Sequence, residues 1–264
     1  MQIVSINVSG VREVDDGGRR VRTAIFKRPV DGPVRVRRLN LDGDDQADRT
    51  NHGGEHKAVY AFGQQHLPHW REALGRDDVG PGFFGENLSV DVLDEGERRI
   101  GDRLRVGDCL LEITQPRVPC FKLGLRAADR ALPRAFVAHG RTGAYLRVLE
   151  EGELRRGDAL VLERREPAGN VAFESRDGSA TVVDRATSGA AATSSDGGPV
   201  SSRDASAKAS RPPAPTLAEL FAAAYHRDHP APRPVLAAAL AEPALSEEWY
   251  AIVVERLRRL DGVG

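Results

Sequence analysis

Short runs in which apolar and polar side chains alternate fill the first part of the chain. Val4, Ile6 and Val8 alternate, as do Val21, Thr23 and Ile25, and then Val34 and Val36. Segments 57–62 (KAVYAF), 88–92, 103–106, 110–114, 144–149 and 160–163 have the character of further strands. Gly-Asp pairs at 101–102, 107–108 and 157–158 precede strand-like runs and read as turns. Two stretches, 66–74 and roughly 133–139, have helical spacing, and Gly140 stops the second. Many short strands with close turn signals predict a mainly β fold over residues 1–165. The expected form is a closed or nearly closed β-barrel with a few short helices, not a parallel α/β sheet.

The pattern breaks at residues 166–213. Ala, Ser, Gly, Asp, Arg and Thr dominate there, and too little apolar area is available to offset the entropy of ordering. This segment reads as a flexible, low-complexity linker. Helical spacing returns in 214–264. Thr216 with Glu219 forms a capping box, and Leu217, Leu220, Phe221 and Ala224 make one apolar face. Residues 235–240 form a second short helix. Ser246, Trp249, Ile252, Val253 and Leu257 mark a third. A three-helix unit this small is marginal alone, so it is expected to pack on the barrel or on a partner.

Composition narrows the function. The 264 residues carry a net charge of −1, which argues against a binder of polymeric nucleic acid. No window approaches the ~18 apolar residues of a spanning helix, and no secretory signal is visible, so a cytoplasmic protein is expected. Two cysteines, Cys109 and Cys120, are too few for a disulfide framework or a cysteine-only zinc site. Only four of the 38 basic residues are Lys: Lys27, Lys57, Lys122 and Lys208. Each Lys is therefore mildly unusual in this chain.

Four stretches could carry chemistry. In 51–57 (NHGGEHK), two glycines can turn the backbone so that N–H groups converge, and Lys57 adds a point charge. This suits an anion, although a plain Gly-Gly turn reads as well. His52 and His56 are four apart, but Gly53-Gly54 between them argues against a helical metal site. In 82–88 (GFFGENL), Asn87 is either a site residue or a turn residue tolerating a left-handed conformation. In 115–123 (QPRVPCFKL), two prolines fix an extended loop around Cys120, and Arg117 and Lys122 bracket the thiol with positive charge that favours thiolate. The alternative is that Cys120 is a small buried apolar residue; Cys109, without such neighbours, reads as structural. In 141–148 (RTGAYLRV), Arg141 or Arg147 could meet an anion, or be ordinary strand-surface charge.

Taken in order, these stretches resemble the MOSC domain, in its YiiM-type branch. The resemblance is carried by 23–48, NHGGEHKAVYAF (51–62), GFFGENLSV (82–90), GDRLRVGD (101–108), QPRVPCFKL (115–123) and 140–158. TLAELFAAAY and ALSEEWYAIVVERLRRL resemble the three-helix appendage of that branch. The resemblance implies a β-barrel holding a molybdenum cofactor (molybdopterin), with Cys120 as the protein ligand to molybdenum. A soft thiolate suits that metal beside the two sulfurs of the pterin dithiolene. It further implies that His52, Gly53, Lys57, Asn87 and Arg117 bind the pterin and its phosphate, with His52 a candidate proton donor beside Cys120. The implied activity is reductive removal of oxygen from the N–O bond of small N-hydroxylated compounds such as hydroxylaminopurines, using two electrons and two protons. Two cysteines cannot build an iron–sulfur cluster, so a separate electron-donating reductase is an expected partner. Barrels with helical appendages often pair, which makes a homodimer a further expectation. Rival readings are a sulfur carrier using a Cys120 persulfide, a non-catalytic cofactor-binding module, and a thiol hydrolase using Cys120 with His52.

Overall fold

The computed structural model describes residues 1–48, 53–163 and 213–262. Most of the segment read as a linker lies outside the described residues, as do Asn51 and His52. The strands are β1 (Ile3–Val8), β2 (Arg12–Asp16), β3 (Arg19–Thr23), β4 (Arg28–Pro29), β5 (Val34–Val36), β6 (Val59–Gly63), β7 (Leu88–Val90), β8 (Arg103–Val106), β9 (Cys109–Pro116), β10 (Ala144–Glu150), β11 (Gly152–Leu154) and β12 (Leu160–Glu163). The helices are α1 (Leu67–Leu74), α2 (Phe121–Ala127), α3 (Leu132–His139), α4 (Leu217–Tyr225), α5 (Pro232–Leu240) and α6 (Glu247–Leu260).

Eight strands form one sheet in the order β12-β8-β9-β10-β6-β7-β1-β4, antiparallel except for the parallel β6–β7 pair. The mainly β expectation holds, with a few helices and a helical C-terminal region, but the strand pairing does not close into a barrel. The outer edge of β1 explains this, because two partners divide it. Its second half pairs with β4 through Asn7 and Val8. Its first half meets the chain just before β12: Gln2 bridges Ala159, Leu160 N donates to Met1 O at 2.8 Å, and Ile3 N donates to Asp158 O at 2.9 Å. The chain at the start of β1 and that at the start of β12 thus meet through one isolated bridge and not through a continuous ladder.

The C-terminal helices lie on this sheet. Thr216 Oγ1 accepts from Glu219 N at 3.1 Å and Thr216 N donates to Glu219 Oε2 at 2.9 Å, the expected capping box. Leu217, Leu220 and Phe221 of α4, Leu236 of α5, and Trp249 and Val253 of α6 are buried in one apolar core with Ile3, Leu104, Leu111 and Ile113. The Trp249 indole donates to Pro116 O, the last carbonyl of β9, at 2.9 Å. Burial of apolar area and this bond together fix the helices against the strand.

A second core is aromatic. Phe62, Trp70, Phe83, Phe84 and Phe136 are buried together, with Phe62–Phe84 centroids 4.7 Å apart and Trp70–Phe136 at 5.1 Å. Three histidines cap it: the His69 and His139 rings stack at 4.4 Å, and His66 meets His139 edge-on at 5.4 Å. Burial, with His69, His66 and Arg141 nearby, lowers the His139 pKa to about 4.

Two outcomes follow from this packing. Trp249→Ala should lower unfolding free energy in urea by about 3–5 kcal/mol, the range for emptying a buried indole site. A loss under about 1 kcal/mol would show that the helices do not depend on β9. The second outcome concerns pH. An unfolded histidine takes a proton near 6.5, whereas folded His139 resists until about 4. Between these values the unfolded state binds more protons, so stability is full above the upper value and falls as pH drops through the window. In His139→Gln the slope of stability against pH between 6.5 and 4 should be shallower; an unchanged slope would assign it to other groups.

Candidate functional site

One cavity gathers most of the residues singled out by sequence. It encloses about 600 Å³ of space, part of it open to solvent, and its lining includes Lys57, Asn87, Arg117, Cys120 and Lys122. Three of the chain's four lysines, Lys27, Lys57 and Lys122, line it. Asp44, Asp45 and Asp48 add negative charge to its wall.

β9 delivers two of these residues. All eight of its residues are buried, and the chain leaves it at Arg117, whose N donates to Gly143 O at 3.1 Å. A Cβ at Gly143 would stand 2.4 Å from Ala61 O, and its φ of +79° is one that glycine adopts freely. The Arg117 guanidinium is buried, with its carbon 4.9 Å from the Tyr60 ring centroid and 5.5 Å from that of Phe136. Aromatic faces offset part of the cost of desolvating this cation. Arg117 Nη1 has no hydrogen-bond partner among the described residues, although it is buried.

Cys120 follows in extended conformation, as the prolines predict, but the expected loop does not continue to Leu123. Cys120 is the N-cap residue of α2, and Leu123 N donates to Cys120 O at 3.0 Å. Removing the Pro constraint after position 119 lets residues 121–127 coil at once. Arg117 and Tyr145 both lie within electrostatic reach of Cys120. Cys109 is buried in the sheet core, and burial raises its thiol pKa to about 11, as befits a structural residue.

Lys57 corrects another boundary. The strand begins at Val59, and Lys57 ends a 3-10 turn, Glu55–Lys57, opened by Gly54 at φ +89°. Lys57 N donates to Gly54 O at 3.1 Å, so the Gly-Gly turn and the lysine form one local unit. Lys57 Nζ pairs with Glu248 of α6. Gly53 is half-buried and is not part of the cavity lining, and His52 lies outside the described residues. His56 is also outside the lining; burial lowers its pKa. Among the described residues no cluster of three or more His, Cys, Asp or Glu could hold a metal ion.

Asn87 lines the cavity, yet its amide is engaged within the wall. Its Oδ1 accepts from Tyr60 N at 3.1 Å, and its Nδ2 donates to Asp44 Oδ2 at 2.9 Å and Asn7 O at 3.4 Å. It acts as a brace for Asp44. The preceding Glu86 is buried and ties the loop together, accepting from Gly82 N at 2.6 Å, Phe84 N at 3.0 Å and Ser89 Oγ at 2.8 Å. Arg147 is committed elsewhere: with Arg103 it pairs the buried Glu112, the plain strand-surface reading of that arginine.

Lys27 and Asp44 escaped the sequence reading as site residues. They form a buried ion pair, and Asp44 Oδ1 also accepts from Ser9 N at 2.9 Å. Burial lowers the Lys27 pKa, while Asp44 opposes that shift. Lys27's rarity as a lysine was the one local sign. Lys27→Met should cost about 3–5 kcal/mol in guanidinium unfolding, because it leaves the Asp44 carboxylate buried without its cation. A cost under about 1 kcal/mol would mean that Ser9 and Asn87 suffice to hold that charge.

Comparison with known proteins finds two family models and several similar chains. The MOSC domain model matches residues 48–161, and the model for the YiiM-like, 3-alpha helix domain matches residues 215–260. Uncharacterized protein YflK of Bacillus subtilis (strain 168) is 38% identical over 175 residues, covering 66% of this chain and 79% of that protein. A protein named Reductase from Gibberella moniliformis is 38% identical over 159 residues, 58% of this chain but only 28% of its own length. The crystal structure of YiiM from Geobacillus stearothermophilus superposes with a TM-score of 0.64 at 28% identity, covering 97% of this chain and 98% of that one. The chain belongs to the MOSC domain family, with a YiiM-like three-helix domain at its C-terminal side.

Proposed function

We propose that this chain is a molybdenum cofactor-dependent reductase of N-hydroxylated compounds. The observation that carries the reading is the company Cys120 keeps: its cavity holds Lys57, Lys122 and Arg117, and buried Arg117 Nη1 has no partner among the described residues. An unmatched buried N–H is costly, and a ligand oxygen would satisfy it. That donor set fits an anionic group with sulfur-bound metal. Arg117, Lys57 and Lys122 would hold the phosphate and polar edges of the pterin, and the Cys120 thiolate would ligate the metal. When bound, the molybdenum cofactor supplies the two-electron redox chemistry that reduces the N–O bond.

The remaining work falls to the chain. Arg117 is pinned by Tyr60 and Phe136, so its fork is pre-oriented. Tyr60 donates its phenol to Thr142 O at 2.8 Å, and burial raises its pKa, so it braces the wall and keeps its proton. Lys27 Nζ, held by the buried Asp44 carboxylate, contributes a fixed positive charge to the lining. His52 keeps its candidacy as proton donor on sequence grounds. The electrons come from a separate reductase protein, since two cysteines cannot hold an iron–sulfur cluster.

Metal analysis of protein from a cofactor-competent host tests the reading, with wild type beside Cys120→Ser. The expected result is about one molybdenum per chain in wild type, lost in the variant, together with reduction of a hydroxylaminopurine by an artificial electron donor. Well-folded wild type without molybdenum or pterin would refute it, and labile sulfane sulfur on Cys120 would then favour a sulfur carrier.

A further inference from the structure

Helix α6 reaches Lys57 of the cavity lining with one charged side chain. Glu248 sits in its first turn, where Ser246 Oγ accepts from Trp249 N at 3.2 Å and the buried Trp249 anchors the backbone to Pro116. From there Glu248 Oε2 pairs with Lys57 Nζ and accepts from Gln115 Nε2 at 3.4 Å. The two partners differ in surroundings. The Lys57 side chain is 11% exposed and the Glu248 side chain 45%. A nearly buried ammonium needs a negative partner at all times, whereas a half-exposed carboxylate swings into water at small cost. The pair is therefore asymmetric: the Glu248 end is the one that water can take over.

We infer that Glu248 is a replaceable counter-ion for Lys57, so that the helical region sets how readily the cavity takes up an anionic, phosphate-like group. An anion entering beside Arg117 and Lys122 meets a Lys57 already neutralised, and it binds by displacing Glu248 toward solvent. The helices then act as a positioning element, with Glu248 holding Lys57 Nζ until the anion takes over. For the cofactor's own phosphate this rests on the reading above; for anions in general it does not.

The test uses the full chain from a host that cannot make the pterin, titrated calorimetrically with inorganic phosphate. Four proteins are compared: wild type, Glu248→Gln, Lys57→Met and the double variant. Glu248→Gln should bind phosphate about fivefold more tightly, the scale of one half-exposed ion pair. That gain should vanish in the Lys57→Met background. A carboxylate that merely tethered the helix would lower the melting temperature of Glu248→Gln and leave phosphate affinity unchanged, which overturns the inference. So would a gain that persists without Lys57, or absence of phosphate binding in both wild type and Glu248→Gln. Pterin content of the same four proteins from a cofactor-competent host is read separately. No pterin in any of them, with the phosphate result intact, would refute the cofactor reading and leave the counter-ion role standing.

Discussion

Strand β9 has no exposed residue, and that burial organises the molecule. A strand buried throughout must be covered on both faces and paired on both edges. Strands β8 and β10 take the edges, α4 packs against it, and the Trp249 indole satisfies its last carbonyl. The chain emerges from this clamp with little freedom, and Arg117 and Cys120 are the residues it presents. A site on a flexible loop would lose affinity to ordering; here the cost of ordering is met by the core.

The cavity's charges follow a related logic. Arg117 is buried against aromatic faces, Lys27 against Asp44, and Lys57 against Glu248. Each cation is held by a different device, and the devices differ in permanence. The aromatic rings cannot leave, Asp44 is fixed by Ser9 and Asn87, and Glu248 alone faces solvent enough to move. The cavity thus combines fixed and negotiable positive charge, which suits a polyanionic ligand that must be both oriented and admitted.

Much of this was legible in the sequence, and the gaps have physical causes. Strands whose alternate residues face a core, such as β8 and β10, announce themselves by period two. The β2–β3 hairpin was seen only through its second strand, because it is a two-stranded ribbon dressed in charges, with Arg20 and Glu13 paired across it at 3.2 Å. Helix α2 was hidden behind Pro116 and Pro119, whose signal is extended chain. Motif order brought Lys57, Asn87, Arg117 and Cys120 to one place, but not the division of labour: Asn87 turns inward, and Gly53 stands outside the lining. The Lys27–Asp44 pair spans 17 positions with no periodic cue, and only the scarcity of lysine in an arginine-rich chain hinted at it.

The contrast between the two cysteines has a practical side. Cys109 is sealed in the sheet core, with its thiol raised to about 11, whereas Cys120 lines the cavity and is half-buried. Thiolate, and not thiol, reacts with soft electrophiles, so at neutral pH an alkylating probe discriminates strongly between them. The chain thereby carries a built-in reporter. The rate at which Cys120 is alkylated measures, without any catalysis, how far the cavity is filled, and a single natural thiol gives the chemistry its address.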